Sequence, residues 1–310
     1  MPRSEVLEKI PVDDGYFLFR SCVASSKYPG METSTVEVFD RLGIDLEQSD
    51  DQTCCGGFIT FTSLAEVTST MPAVARNLSV AEETGKNTLT MCNGCHTFLT
   101  EFGHFLDHND DIRDKVNEML GMVGREYHGT SMVLHMLEVV YKLKDRIAEK
   151  ITRPLKGLRL ATHYGCHYLY GFKHDAVDDP FMPTAMEELI EIAGAENVTY
   201  PEARTCCGSG LTQIVIHKEE TALPFIKKKL DSLEEAKADA IVVVCPYCLT
   251  MLDRGQFKMN ERGLADYGVP VLYLNQVLGL AMGVDPERLG LDAHITPVRK
   301  MLEKLEAGHA

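Results

Sequence analysis

Ala240-Ile241-Val242-Val243-Val244-Cys245-Pro246-Tyr247-Cys248-Leu249-Thr250-Met251-Leu252 carries the decisive pattern of the chain. The β-branched run Ile241 to Val244 suits a strand buried on both faces of a parallel sheet. It leads straight into a Cys-x-x-Cys. The same order occurs earlier, where Thr88-Leu89-Thr90-Met91 leads into Cys92-Asn93-Gly94-Cys95-His96-Thr97-Phe98-Leu99. Both stretches share Cys-x-x-Cys-x-Thr-x-Leu. Tyr16-Phe17-Leu18-Phe19 likewise leads to Cys22, and Leu158-Arg159-Leu160-Ala161-Thr162 leads towards Cys166. Helical patterns follow over 97–108, 219–236 and 275–282. Alternating strands and helices predict α/β domains, each with a small, mostly parallel sheet flanked by helices. Cysteines at strand exits then gather at the carboxyl edge of each sheet, where such folds place ligands.

Outward from these stretches the chain reads as a tandem duplication. Its ten cysteines fall into two sets: Cys22, Cys54, Cys55, Cys92 and Cys95, then Cys166, Cys206, Cys207, Cys245 and Cys248. Each adjacent pair runs into glycine, as Cys54-Cys55-Gly56 and Cys206-Cys207-Gly208. Between the first cysteine and the pair, Tyr28-Pro29-Gly30 marks a turn, and Ser34-x-x-Glu37 reads as a capping box. Val36, Phe39 and Leu42 form a stripe that Gly43 ends. In the second copy Pro183 precedes Thr184-x-x-Glu187, with Met186, Leu189, Ile190 and Ala193 as the stripe and Gly194 as the stop. Equivalent cysteines are 144 residues apart at the first position and 152 to 153 apart later. This predicts a first domain over 1–152, a second over 153–296 and an amphipathic tail over 297–310. The polar stretch Lys150 to Lys156 is the joint.

Net charge is −15, from 31 basic and 46 acidic residues, which argues against nonspecific nucleic-acid binding. The polar start lacks an apolar signal core, and no apolar run reaches the ~18–20 residues of a membrane span. We therefore expect a cytoplasmic chain without direct membrane insertion. Thiols stay reduced there, so the cysteines point to metal or redox chemistry before structural disulfides. A closed zinc site takes four ligands, and five cysteines overfill it. An ordinary cubane is also satisfied by four. Iron–sulfur, zinc and thiol chemistry all remain open on spacing, with the fifth thiolate favouring a multi-iron cluster. Glycine after each pair lets backbone approach and aim N–H groups at sulfur.

On these residues the chain resembles the CCG family of cysteine-rich domains. The resemblance there is close to the B subunits of methanogen heterodisulfide reductases. The gaps from the lone cysteine to the pair and from the pair to Cys-x-x-Cys are 31 and 36 residues in the first copy, 39 and 37 in the second. Both copies are intact, and the resemblance covers nearly the whole chain. It implies two noncubane [4Fe-4S] clusters, one on each five-cysteine set. It also implies a catalytic oxidoreductase component that reduces the coenzyme M–coenzyme B mixed disulfide to two thiols. On this hypothesis each substrate sulfur binds an iron of one cluster, and no cysteine is left over for thiol exchange. The implied partners are the iron–sulfur C subunit and the flavin-containing A subunit of heterodisulfide reductase, with a hydrogenase or formate dehydrogenase module further upstream. Gly208-Ser209-Gly210 lacks a third glycine, so neither flavin nor nicotinamide is expected in this chain. The ferredoxin-like cysteine region of some relatives is not present either. Two readings compete: an electron-relay component of a glycolate- or lactate-type oxidase, and a zinc-binding scaffold.

Both halves of that substrate are anionic. Candidate cations near ligand cysteines are Lys27, Lys173, Arg204 and Arg254, with His96 and His174 as further candidates. His163 and His167 flank Cys166 and are candidates for a proton relay. The ordinary alternative for each is a solvated charge or a core histidine. His104, His108, His128, His135 and His217 read as structural or surface residues. Lys227-Lys228-Lys229 reads as a solvated helix face.

Overall fold

Strands β1 (Gly15–Phe19), β2 (Asp45–Glu47), β3 (Thr88–Thr90) and β4 (Val133–His135) form one sheet in a computed structural model that describes residues 3–61, 64–171, 177–209 and 219–308. Strands β5 (Arg159–His163), β6 (Glu196–Asn197), β7 (Ala240–Val243) and β8 (Val271–Tyr273) form the other. Their orders are β2-β1-β3-β4 and β6-β5-β7-β8, and every pairing is parallel. In register, Phe19 lies opposite Thr90 and His163 opposite Val243. The duplicated α/β reading holds. The central strands are buried along their length because helices cover both faces, which is why Ile241 to Val244 contains no polar residue.

The helices interlock the two halves. Helix Pro29–Arg41, which follows β1, packs on helix Leu274–Ala281, which follows β8. Its counterpart Ala185–Ile192 packs on Met136–Lys142, which follows β4. Each half thus covers the other, as two interchanged copies about a common axis would. Polar contacts between the halves fix the arrangement. Asn275 Nδ2 donates to Thr35 Oγ1 at 3.0 Å, and Tyr141 OH donates to Glu188 Oε2 at 2.6 Å. At the joint, the Thr152 and Arg153 amides donate to the Ala281 carbonyl at 3.0 and 2.9 Å.

Two sequence expectations shift locally. The first helix begins at Pro29, whose fixed φ suits the first helical turn, so Ser34 lies inside it and donates its hydroxyl to Met31 O at 3.2 Å. Its buried face is Met31, Val38, Phe39 and Leu42, while Val36 is exposed. Thr184 is the N-cap of the second helix, yet its hydroxyl donates to Glu188. Asp178 accepts the Thr184 and Ala185 amides instead, both at 2.9 Å, and Glu187 turns inward to Tyr164 and Thr162. The C-terminal helix Arg299–Ala307 packs on its own chain through Met301 and Leu305, with Lys304 paired to Asp239. Among the described residues no helix is long and apolar enough to cross a membrane.

Candidate metal centre

Every cysteine set is assembled from three chain segments at the carboxyl edge of its sheet. Cys22 opens the short helix Cys22–Lys27 after β1, and Cys92 caps Asn93–Asp107 after β3. Cys95 sits one turn further along that helix. Cys166 opens Cys166–Tyr170 after β5, and Cys245 caps Pro246–Glu261 after β7, with Cys248 in its first turn. The gap between β1 and β3, and between β5 and β7, is where the strand order reverses, the ordinary ligand position of such sheets. The Cys-Cys pairs approach on loops that turn at Gly56 and Gly208, with φ of +81° and +86°. That backbone region is costly for any side chain. At Gly208 a Cβ would also stand 2.9 Å from the Ala222 carbonyl oxygen.

The two edges face each other, and the result is one site. A cavity of about 270 Å³ is lined by Cys22, Cys54, Cys55, Cys92 and Cys95 together with Cys166, Cys207, Cys245 and Cys248. All ten cysteines are free thiols. Sulfur neighbours sulfur from Cys22 through Cys54, Cys55, Cys95 and Cys92, across to Cys245, and on through Cys248, Cys207 and Cys206 to Cys166. The Cys92–Cys245 contact joins the two sets. Crowding shifts the thiols in opposite directions. Cys54, accepting from Cys22, Cys55 and the Gly56 amide, is held down at about 2. Cys55, which donates to it, is pushed up to about 12, and Cys207 beside Cys206 also to about 12. Cys92 is driven well up by donating to Cys245, which is driven well down. Amides of Gly56, Gly57, Cys95, Ser209, Tyr247 and Cys248 point at sulfur as well. Crowded thiolates with converging amide donors form a soft anionic donor set. It fits iron–sulfur clusters better than a four-ligand zinc site.

Around the sulfurs the residues divide. His167 lines the cavity, and burial lowers its basicity. His163 closes β5 and is fully buried. Burial brings its pKa down to about 3, and its ring nitrogen lies with the Cys207 and Cys248 sulfurs in a group spanning no more than 4.8 Å. Lys27, Arg204 and Arg254 are exposed and are not among the residues lining the cavity. Lys173, His174, Gly210 and His217 lie outside the described residues. His96 is buried, with Nε2 3.7 Å from Glu138 Oε2. Burial holds His96 at about 4.

Several residues near the sulfurs were not singled out from sequence. Asn93 Nδ2 donates to the Tyr164 carbonyl at 2.6 Å, tying the two halves together beside Cys92. Tyr273 OH donates to Met91 O at 2.9 Å, across the same boundary. Phe58 and Tyr247 stack with centroids 6.4 Å apart at the cavity wall. His135, read as structural or surface, is buried between the rings of His96 and Tyr168, at 5.4 and 5.0 Å. Lys229 is fully buried, contrary to the solvated-face reading, while Lys227 and Lys228 stay exposed. A helix turns 100° per residue, so a run of three lysines cannot share one face. The missing signal was tertiary: Lys229 turns in to the Glu202 carbonyl and the Tyr200 ring.

The Cysteine-rich domain (CCG) family profile matches residues 16–100 and 160–253, which hold the two cysteine sets and the first three strands of each sheet. The chain is 34% identical over 290 residues to the B subunit of the ferredoxin/F420H2-dependent CoB-CoM heterodisulfide reductase of Methanosarcina acetivorans, covering 93% of this chain and 96% of that protein. The chain belongs to the B-subunit family of heterodisulfide reductases, built from CCG domains. It is also 29% identical to the 8-methylmenaquinol:fumarate reductase membrane anchor subunit of Wolinella succinogenes, over 92% of this chain and 98% of that one. Among solved structures, a hypothetical protein from Helicobacter pylori has the same fold with a TM-score of 0.71 at 15% identity, over 95% of this chain and 56% of that one. Family membership makes the chain an iron–sulfur type of oxidoreductase component.

Proposed function

We propose that the chain is the catalytic component of a disulfide reductase, cleaving the mixed disulfide of coenzyme M and coenzyme B. One observation carries the reading: both cysteine sets open into a single cavity, meeting at the Cys92–Cys245 contact. Cys22, Cys54, Cys55, Cys92 and Cys95 would hold one noncubane [4Fe-4S] cluster. Cys166, Cys206, Cys207, Cys245 and Cys248 would hold the other, with residues 1–152 and 153–296 as the corresponding domains. When bound, the clusters supply single electrons and iron positions for soft sulfur ligands.

The protein's own groups do the rest. A disulfide placed between the two sets presents one sulfur to each. Phe58 and Tyr247 limit water at the cavity wall, which strengthens every electrostatic contact inside. His163 and His167 are the proton relay. Burial keeps both rings neutral near neutral pH, so each passes a proton between its two nitrogens rather than storing one. Lys27, Arg204 and Arg254, exposed outside the cavity, suit the sulfonate, phosphate and carboxylate tails of such a substrate.

All ten cysteines being ligands leaves no exchanging thiolate, so electrons must enter from a separate iron–sulfur donor protein, with a flavin-bearing partner further upstream. The expected setting is a cytoplasmic multisubunit complex that draws on a hydrogenase or formate dehydrogenase. The test is anaerobic purification, iron and sulfide analysis, and turnover of the mixed disulfide with a reduced viologen. Iron-loaded protein that never reduces the disulfide, and whose low-temperature EPR signals ignore it, sinks the catalytic reading in favour of a relay. Zinc in place of iron sinks both.

A further inference from the structure

Lys229 and Asn77 hold equivalent places in the two halves. Each lies five residues beyond the proline inside its long helix: Pro72 in Val67–Glu83 and Pro224 in Glu219–Glu235. Both side chains are buried, and both secure the loop that carries the Cys-Cys pair. Asn77 does so as a neutral amide. Its Nδ2 donates to Cys54 O at 3.1 Å and its Oδ1 accepts from Thr53 N at 2.8 Å. Lys229 does so as an ammonium, donating to the Glu202 carbonyl and lying 5.3 Å from the centroid of the Tyr200 ring.

No carboxylate among the described residues pairs with Lys229. The Glu202 side chain turns to Lys228 Nζ at 2.8 Å. A buried ammonium needs an anion, because leaving water without one is costly. The anionic groups in electrostatic reach are the sulfurs of Cys207, Cys248 and Cys206 and the Glu202 carboxylate, which is already paired with Lys228. A second difference points the same way. Phe19 ends β1 in the first half, whereas His163 ends β5 in the second, at the matching register position. Its Nε2 has no hydrogen-bond partner among the described residues, and its Nδ1 stands 3.4 Å from the Ala203 carbonyl.

Reducing an iron–sulfur site by one electron adds a negative charge. A fixed cation in a low-dielectric surround stabilises the reduced form over the oxidised, and salt screens it little. We propose that Lys229, with His163 beside it, makes the second five-cysteine site the more readily reduced of the two, so that a single electron delivered from an external one-electron donor comes to rest there. The inference rests on the iron–sulfur reading above. Lys229 is a positioning residue that acts through charge and touches no substrate.

The experiment is an EPR-monitored dithionite titration of the iron-loaded full chain. Wild type should show two separable midpoints. Lys229→Asn, which installs the first half's residue, should lower the higher midpoint by at least a tenfold change in the reduced-to-oxidised ratio, ~59 mV for one electron. The other midpoint should stay, and Lys229→Arg should restore both. Should Lys229→Asn fail to load iron, Lys229→Gln is read by the same criterion, and His163→Phe should move the same signal. Coincident wild-type midpoints overturn the proposal. So does a Lys229 variant with full iron whose midpoints are unmoved or fall together. Wild-type protein without iron overturns the iron–sulfur reading instead, and metal analysis shows this separately.

Discussion

Asn77→Ala tests how the first Cys-Cys loop is held. Asn77 is 1% exposed and makes four hydrogen bonds: to Cys54 O at 3.1 Å, to Ala73 O at 2.9 Å, and from Thr53 N at 2.8 Å and Thr53 Oγ1 at 3.3 Å. Ala73 O still has its helical partner, so truncation strands two loop groups, the Thr53 amide and the Cys54 carbonyl. A fully buried unsatisfied group costs ~1–3 kcal/mol; Thr53 and Cys54 are exposed residues and their groups rehydrate in part, which leaves about 1–2 kcal/mol in all. Urea unfolding of the metal-free chain should show the loss as a lower midpoint at unchanged slope. Iron content should fall at the first site before the second, because Cys54 and Cys55 lose their fixed approach. Asn77→Asp keeps the acceptor for Thr53 but sets a carboxylate oxygen against the Cys54 carbonyl, so it should not rescue. A loss under about 0.5 kcal/mol, the ordinary range for surface changes, would refute the reasoning. Equal loss of iron from both sites would refute it too.

Gly208→Ala should cost about 1–3 kcal/mol, because φ is +86° and the new Cβ would meet the Ala222 carbonyl oxygen at 2.9 Å; thermal unfolding and second-site iron content check it. Glu188 is held at about 2 against an ordinary 4.5; burial opposes this, but donors from Tyr141, Lys144 and Thr184 outweigh it. A depressed carboxylate stabilises above its unfolded pKa and stops doing so as pH falls through its folded one. The Glu188 contribution is therefore full above pH 4.5, fades towards pH 2, and should vanish from the acid titration of Glu188→Gln. Being well exposed to solvent, it is worth only ~1 kcal/mol. Tyr247→Ala removes one ring of the Phe58 stack and should raise the rate of cluster bleaching in air several-fold at little cost in stability, followed by visible absorbance.

Much of the fold was legible because it depends on local rules. Buried parallel strands need unbroken apolar runs, and those before Cys92 and Cys245 stand out at once. Glycine stops after Leu42 and Ala193 work in the structure as read, with φ of +67° and +87°. The helix starts were harder. Pro29 outcompeted the Ser34 capping signal, and Asp178, six residues before Thr184, took the capping work from it. The candidate site was legible in its sulfurs and poorly legible in its surroundings. Asn93 and Tyr273 bond carbonyls of the opposite half, and His135 comes near Cys245, only because the halves meet there.

The amino-acid sequence alone determined the duplication, the two five-cysteine sets and the parallel α/β architecture, since each is a pattern of spacing or of apolar periodicity along the chain. Tertiary structure decided what spacing cannot hold. Helices exchanged between halves bring the two sheet edges together, so nine of the ten cysteines line one cavity and Cys92 neighbours Cys245. It also buried Lys229 against the second set while its counterpart Asn77 stayed neutral. Burial depends on which helix packs over a residue, and charge acts through space, so neither is written in local sequence.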